Sequence, residues 1–171
     1  DLNTINGSTS ELVTATSVTT ITSSAVSDML TLISNRGTSG DKINLATNYA
    51  VTLSDGTLSA ANVKLVNADN GTGTINIASA TSISGTISDV LEIVNNTNST
   101  FTTAANYAVT ISDGTATAAN IKLINADNGT GAIDISSVNA INGTISDVLE
   151  IVNNTGSVFT TAANYAVTLS D

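Results

Sequence analysis

Carboxylates are the only acid–base groups that this chain offers in number. Fourteen Asp and Glu stand against four Lys and Arg, and His and Cys are absent. Any nucleophile would therefore need a Lys or a carboxylate as its base. Asp55 and Asp113 hold the same place in a repeated Ser-Asp-Gly string. Stacking of repeats could bring two such acids together, as in the paired carboxylates of glycosidases. In the regular part of the chain, however, every acid sits at a repeated turn or cap position. Identical acids at identical places speak for architecture, because an active site needs one special place. No catalytic residue is assigned, and the chain is read as a protein that is not an enzyme.

Metal binding is the sharper alternative. Asn67-Ala68-Asp69-Asn70-Gly71 and Asn125-Ala126-Asp127-Asn128-Gly129 set oxygen side chains ahead of a Gly, like the opening of a calcium loop. The bidentate acid required at the twelfth position is replaced by Ala78 and Ser136. An Asx-stabilised Asn-Gly turn is the preferred reading and calcium the alternative. No metal or cofactor residue is assigned. Flat Thr-x-Thr faces can order ice, but Thr14-Ala15-Thr16 and Thr115-Ala116-Thr117 are out of register with one another, so ice binding is a remote reading.

The elements that position these groups follow from a tandem repeat. Residues 85–112 and 143–170 match at 25 of 28 positions, an offset of 58 that also relates the two Asn-Ala-Asp-Asn-Gly strings and the residues Tyr49, Tyr107 and Tyr165. Within each unit an apolar-x-apolar-apolar-Asn signature recurs at Val63, Leu91, Ile121 and Leu149, at spacings of 28, 30 and 28. Leu2 and Leu30 fit the same register, giving about six coils of alternating A and B type. The chain reads as one stretch, 1–171, with units of approximately 1–55, 56–113 and 114–171. Segments of about 29 residues cannot bury their own apolar face and must stack. The expected fold is a repeat solenoid: a parallel β-solenoid with short helices per coil, or alternatively an all-β parallel β-helix.

Tyr107-Ala108-Val109-Thr110-Ile111-Ser112 alternates in the manner of a strand with one buried face, as do its copies and Ile75–Ile77 and Ile133–Ile135. Ser88-Asp89-Val90-Leu91-Glu92 looks like a capping box opening a short helix, with a third strand as the alternative. Asn67, Asn95, Asn125 and Asn153 should form one side-chain ladder, and Asn48, Asn106 and Asn164 a second. Lys64, Glu92, Lys122 and Glu150 should line up as a column of opposite charges that fixes register. The string Asn98-Ser99-Thr100 is a weak glycosylation sequon.

A formal charge of -10 repels phosphate and anionic lipid, so neither nucleic acid nor direct membrane insertion is expected. Arg36, Lys42, Lys64 and Lys122 are scattered and have no stacking platform beside them. The chain opens inside a coil signature at Leu2 and closes at Ser170-Asp171 without a polar capping repeat. That pattern leads to the expectation of head-to-tail stacking on copies of itself or on adjacent repeats of a longer chain.

Ser84-Gly85-Thr86-Ile87-Ser88-Asp89-Val90-Leu91, Asn142-Gly143-Thr144-Ile145-Ser146-Asp147-Val148-Leu149 and Ala108-Val109-Thr110-Ile111-Ser112-Asp113-Gly114 resemble a repeat, GTxxDVL followed by AVTxSD. This pattern occurs in giant exported surface proteins of cyanobacteria and other Gram-negative bacteria. The resemblance covers nearly the whole chain, most faithfully after about residue 47. It implies a secreted, extracellular or cell-surface location and a structural part in a filament, surface layer or adhesin. It implies no catalytic residues. The Gly-Gly-x-Gly-x-Asp nonapeptides that often accompany such proteins and bind calcium are absent, so calcium-driven folding is not carried over.

Overall fold

Runs of alternating large apolar and small polar residues become strands of three to five residues, and each pair of strands is separated by a turn or a short helix. A computed structural model describes residues 1–171 except Asn98, Thr155 and Gly156, and the side chain of Ser23 is also outside the described set. The sequon at Asn98 therefore lies outside the described residues.

The first unit contains α1 (Leu2–Asn6), β1 (Val13–Ala15), β2 (Thr20–Ser24), α2 (Val26–Ser34) and β3 (Ile43–Leu45). Next come β4 (Ala50–Leu53), β5 (Thr57–Ser59), α3 (Ala60–Asp69), β6 (Ile75–Ile77), β7 (Ser82–Gly85), α4 (Ile87–Val94) and β8 (Phe101–Thr103). The same succession repeats as β9 (Ala108–Ile111), β10 (Thr115–Thr117), α5 (Ala118–Asp127), β11 (Ile133–Ile135), β12 (Ala140–Gly143), α6 (Ile145–Val152) and β13 (Phe159–Thr161), and β14 (Ala166–Leu169) follows.

Among the described residues, fourteen strands make four parallel sheets, ordered β1-β3, β2-β4-β6-β8, β5-β7-β9-β11-β13 and β10-β12-β14, with six helices. This α/β fold corrects the expectation of a repeat solenoid, in both the helix-containing and the all-β form. A solenoid would put equivalent strands of successive repeats in one column. Instead β4, β9 and β14, which follow Tyr49, Tyr107 and Tyr165, belong to three different sheets. The physical reason is a mismatch of periods. The sequence signatures recur at 28 and 30 residues, whereas paired strands from β4 onward lie 24 to 26 residues apart. Backbone pairing and inward side-chain rows dictate the shorter spacing. Each sheet therefore shifts along the chain and ends: among the described residues β8 pairs only with β6, because β9 joins the sheet of β7.

The register places Leu58, Ile83, Val109, Ile133 and Phe159 in one row across the five-stranded sheet, all buried. Ser59, Ser84, Thr110, Asp134 and Thr160 form the adjacent row on the more exposed face. Burial of one such apolar side chain contributes about 1.5–3 kcal/mol, so the inward rows dominate the stability. Helices close the other side. In α4, Ile87, Val90 and Ile93 recur at helical spacing and are buried. The Ser-Asp segment is thus helical, but it starts at Ile87, and Thr86 is its cap, accepting from the Asp89 N–H at 3.2 Å. Asp89 sits in the first turn rather than at the cap.

Successive segments joined strand to strand form layers, and of the described glycines Gly73 and Gly131 stand against the tightest neighbours. A Cβ on either would collide with the backbone carbonyl of Tyr49 or Tyr107 in the preceding layer. Gly131→Ala is expected to lower stability by about 3 kcal/mol, because backbone has to move to admit the methyl. Gly114→Ala, whose new methyl meets nothing within 4 Å, should stay within about 0.5 kcal/mol of wild type. Urea unfolding midpoints of the two variants check the contrast.

Candidate functional site

Asn70 ends α3, and Gly71 follows with φ +66, a left-handed turn that suits glycine. This turn aims the Asn70 side chain inward. Its Nδ2 donates to the carbonyls of Tyr49 at 3.2 Å and Gly73 at 2.8 Å, and its Oδ1 accepts from Ser99 Oγ at 3.0 Å. One buried amide thus joins the layer before it, its own and the layer after it. Asn128 does the same with Tyr107 at 3.2 Å, Gly131 at 2.7 Å and Ser157 Oγ at 3.1 Å.

Beside each amide a tyrosine meets an acid. Tyr49 Oη donates to Asp69 at 2.7 Å and Tyr107 Oη donates to Asp127 at 2.6 Å. Arg36 completes the first site, with Nη1 2.7 Å from the Asp69 carboxylate and Nη2 donating to the Leu45 carbonyl at 2.8 Å. Burial, and next the hydrogen bond to the neighbouring carboxylate, push both phenols well above the usual tyrosine range.

The Ser-Asp-Gly acids act across layers. Asp55 accepts from the Val26 N–H at 2.8 Å, Asp113 from Ile87 at 2.6 Å and Asp171 from Ile145 at 2.9 Å. Each carboxylate therefore caps the N-terminus of a helix in the preceding layer, where unpaired N–H groups and the helix dipole favour negative charge. The supposed pair Asp55 and Asp113 does not form, since each serves a different helix. A groove of 380 Å³ lies between α4 and β10, lined by Ser88, Leu91, Asp113, Thr115 and Thr117. Its carboxylate is the one already holding Ile87.

The Asn ladders are replaced by mixed bonds. Asn67 Nδ2 donates to Glu92 Oε1 at 2.7 Å and to the Thr97 carbonyl at 2.8 Å, while Asn95 and Asn153 are exposed helix caps. Asn48 and Asn106 accept from the backbone N–H and the hydroxyl of Thr72 and Thr130. The charge column is broken into separate clusters. Lys64 lies 3.0 Å from Asp89 and 3.7 Å from Glu92, and Lys122 lies 3.0 Å from Asp147 and 3.5 Å from Glu150. The lysine hydrogen bonds hold both aspartates below the usual carboxylate range.

Residues proposed for a calcium loop are engaged internally: Asp69 by Tyr49 and Arg36, Asn70 by three partners, Asn67 by Glu92 and Thr97. Among the described residues no group of three or more Asp and Glu could hold a metal ion. Thr115 and Thr117 flank buried Ala116 on β10, while Thr14 belongs to β1 in another sheet. The exposed row that is in register contains Asp134, bonded to the Ser136 N–H at 2.9 Å.

Sequence reasoning missed the cross-layer caps, the Asn70 and Asn128 nodes and the tyrosine–acid pairs. One signal was present, the constant separation of 20 residues from Tyr49 to Asp69 and from Tyr107 to Asp127. Comparison with family models, with curated proteins and with solved structures finds no match.

Two outcomes follow from these bonds. Asp113→Ala removes the cross-layer acceptor of the Ile87 N–H, leaves the Thr86 cap in place, and should lower stability by about 1 kcal/mol, read by thermal melting. Tyrosines in the unfolded chain ionise near about pH 10. Because folding raises the Tyr49 and Tyr107 values, their contribution is complete below about pH 10 and is lost as the pH climbs through the folded values. At about pH 11 the folded protein should show far less phenolate absorbance than the urea-unfolded chain. Equal absorbance in the two states would contradict the assignment.

Proposed function

We propose that the chain is a structural repeat segment of an exported surface protein, acting in a filament, surface layer or adhesin. One observation carries this reading: the polar side chains that the repeat retains bond one layer to the next. Asn70 and Asn128, Asp55 and Asp113, and Lys64 and Lys122 all act in this way. Such groups resist sliding and parting of layers, which is what a rigid spacer requires. The resemblance of the GTxxDVL and AVTxSD strings to repeats of giant surface proteins supplies the compartment. The acidic, cysteine-free composition is compatible with it.

The test is location. An antibody against the folded segment should label intact source cells or their shed extracellular material, and external protease should remove that label. Antigen confined to the interior of lysed cells would overturn the surface role.

A further inference from the structure

The threonines that line up across a sheet are not the Thr14 and Thr115 pairs that the sequence puts forward. On the four-stranded sheet Thr20 stands opposite Ala50, and Val51, Ile75 and Phe101 face one another on β4, β6 and β8. The residues just before those three are Ala50, Thr74 and Thr100, and the residues just after are Thr52, Asn76 and Thr102. Val51, Ile75 and Phe101 are buried, so strand alternation sets their neighbours on the outer face. Two rows result, Thr20-Ala50-Thr74-Thr100 and Thr52-Asn76-Thr102. Thr20, Thr74, Thr100 and Thr102 are exposed, and the other three are partly exposed.

This face differs from the rest of the molecule in charge. The chain carries a net charge of -10, yet β2, β4, β6 and β8 contain no charged residue. An uncharged face suits an uncharged partner. The corresponding row of the five-stranded sheet, Ser59, Ser84, Thr110, Asp134 and Thr160, is interrupted by a carboxylate. A neutral polysaccharide would call for aromatic rings as stacking platforms, and Tyr49 and Phe101 beside these rows are turned inward and buried.

Threonine supplies what a water lattice needs. Its hydroxyl donates one hydrogen bond and accepts two, and branching at Cβ restricts the χ1 rotation that would scatter the hydroxyls. Parallel strands repeat at about 4.8 Å, and residues on one face follow each other at about 6.6 Å along a strand, a grid comparable to the oxygen spacing on a face of ice. We propose that the outer face of β2, β4, β6 and β8 binds ice, its threonine hydroxyls taking the places of water molecules in the outermost layer of the crystal. Asn76 keeps its place in the array because its Oδ1 accepts from the Ala78 N–H at 2.9 Å, which pins the side chain. The buried row beneath holds the strands at fixed height, so the hydroxyls are set before the crystal is met and little entropy is lost on binding.

The purified 171-residue chain should show thermal hysteresis and stop the recrystallisation of fine ice. Thr74→Lys and Thr102→Lys each set a charge in a different row at an exposed position, and both should melt as wild type does and lose the hysteresis entirely. Thr160→Lys, the same change on the five-stranded sheet, should retain it in full. A wild type without either effect at its highest soluble concentration overturns the proposal, as does full activity in either row variant or its loss in Thr160→Lys. Retention on cellulose by wild type but not by Thr102→Lys, with no effect on ice, assigns the face to a neutral polysaccharide and overturns it as well. None of these measurements reads cellular location, so this activity and the surface role stand or fall separately.

Discussion

A buried primary amide that must satisfy three partners in three successive layers constrains this structure more than any other group. Asn70 and Asn128 are fully buried. Leaving such a group without its bonds costs about 1–3 kcal/mol per unpaired donor or acceptor, so the layers must come to it in the correct order and at the correct height. Gly73 and Gly131 give the space that lets the carbonyls of Tyr49 and Tyr107 approach, and Gly71 and Gly129 supply the left-handed turn that directs each amide inward. Apolar rows fix which face turns inward, but they alone would tolerate a slip of two residues, since Ile, Val and Leu resemble one another. The amide does not allow it, and the inward rows then fall into a single register.

The charged groups follow the same logic at the periphery. Asp55, Asp113 and Asp171 each leave their own layer to cap a helix in the preceding one, which ties helix position to strand position across the layer boundary. Lys64 and Lys122 bridge from α3 and α5 to acids on α4 and α6. Those lysines are largely exposed, so their pairs contribute little to stability and act chiefly on register. One acid differs between units. Asp69 is held by both Tyr49 and Arg36, while in the second unit Asn96 follows the α4 cap where Arg36 follows the α2 cap, and the guanidinium is lost. The tyrosine bond persists without it, which identifies the phenol as the common element and the arginine as a local addition.

The repeat, the strands after each tyrosine and the Asn-Gly turns were legible because each rests on local pattern: period-two alternation, identity at an offset of 58, and residues that tolerate positive φ. The sheet organisation was not, since it depends on which strand pairs with which. Sequence periodicity gives the length of the repeating unit, whereas pairing is decided by the chain path between β4 and β6 or between β7 and β9, and that path is shorter than half a unit. The helices α3 and α5 were hidden for another reason. Leu65 and Leu123 are exposed on their outer faces, so these helices carry little of the one-sided pattern that reveals a helix in sequence. The acids were assigned to repeated turn or cap positions, and what the string hides is distance, because each carboxylate bonds a helix N–H 26 to 29 residues away.

The charge of -10 bears on how such a chain can associate. Copies that meet side to side bring like-charged surfaces together, a repulsion that salt screens over a length of about 8–10 Å at moderate ionic strength. The cation on α3 and α5 that meets acids on the following helix is, at the equivalent place in α1, the neutral Asn3, whose Nδ2 donates to the Asp28 carbonyl on α2 at 2.9 Å. The pairing of α1 with α2 thus rests on a neutral hydrogen bond, whereas α3 with α4 and α5 with α6 add exposed ion pairs that weaken as salt screens them.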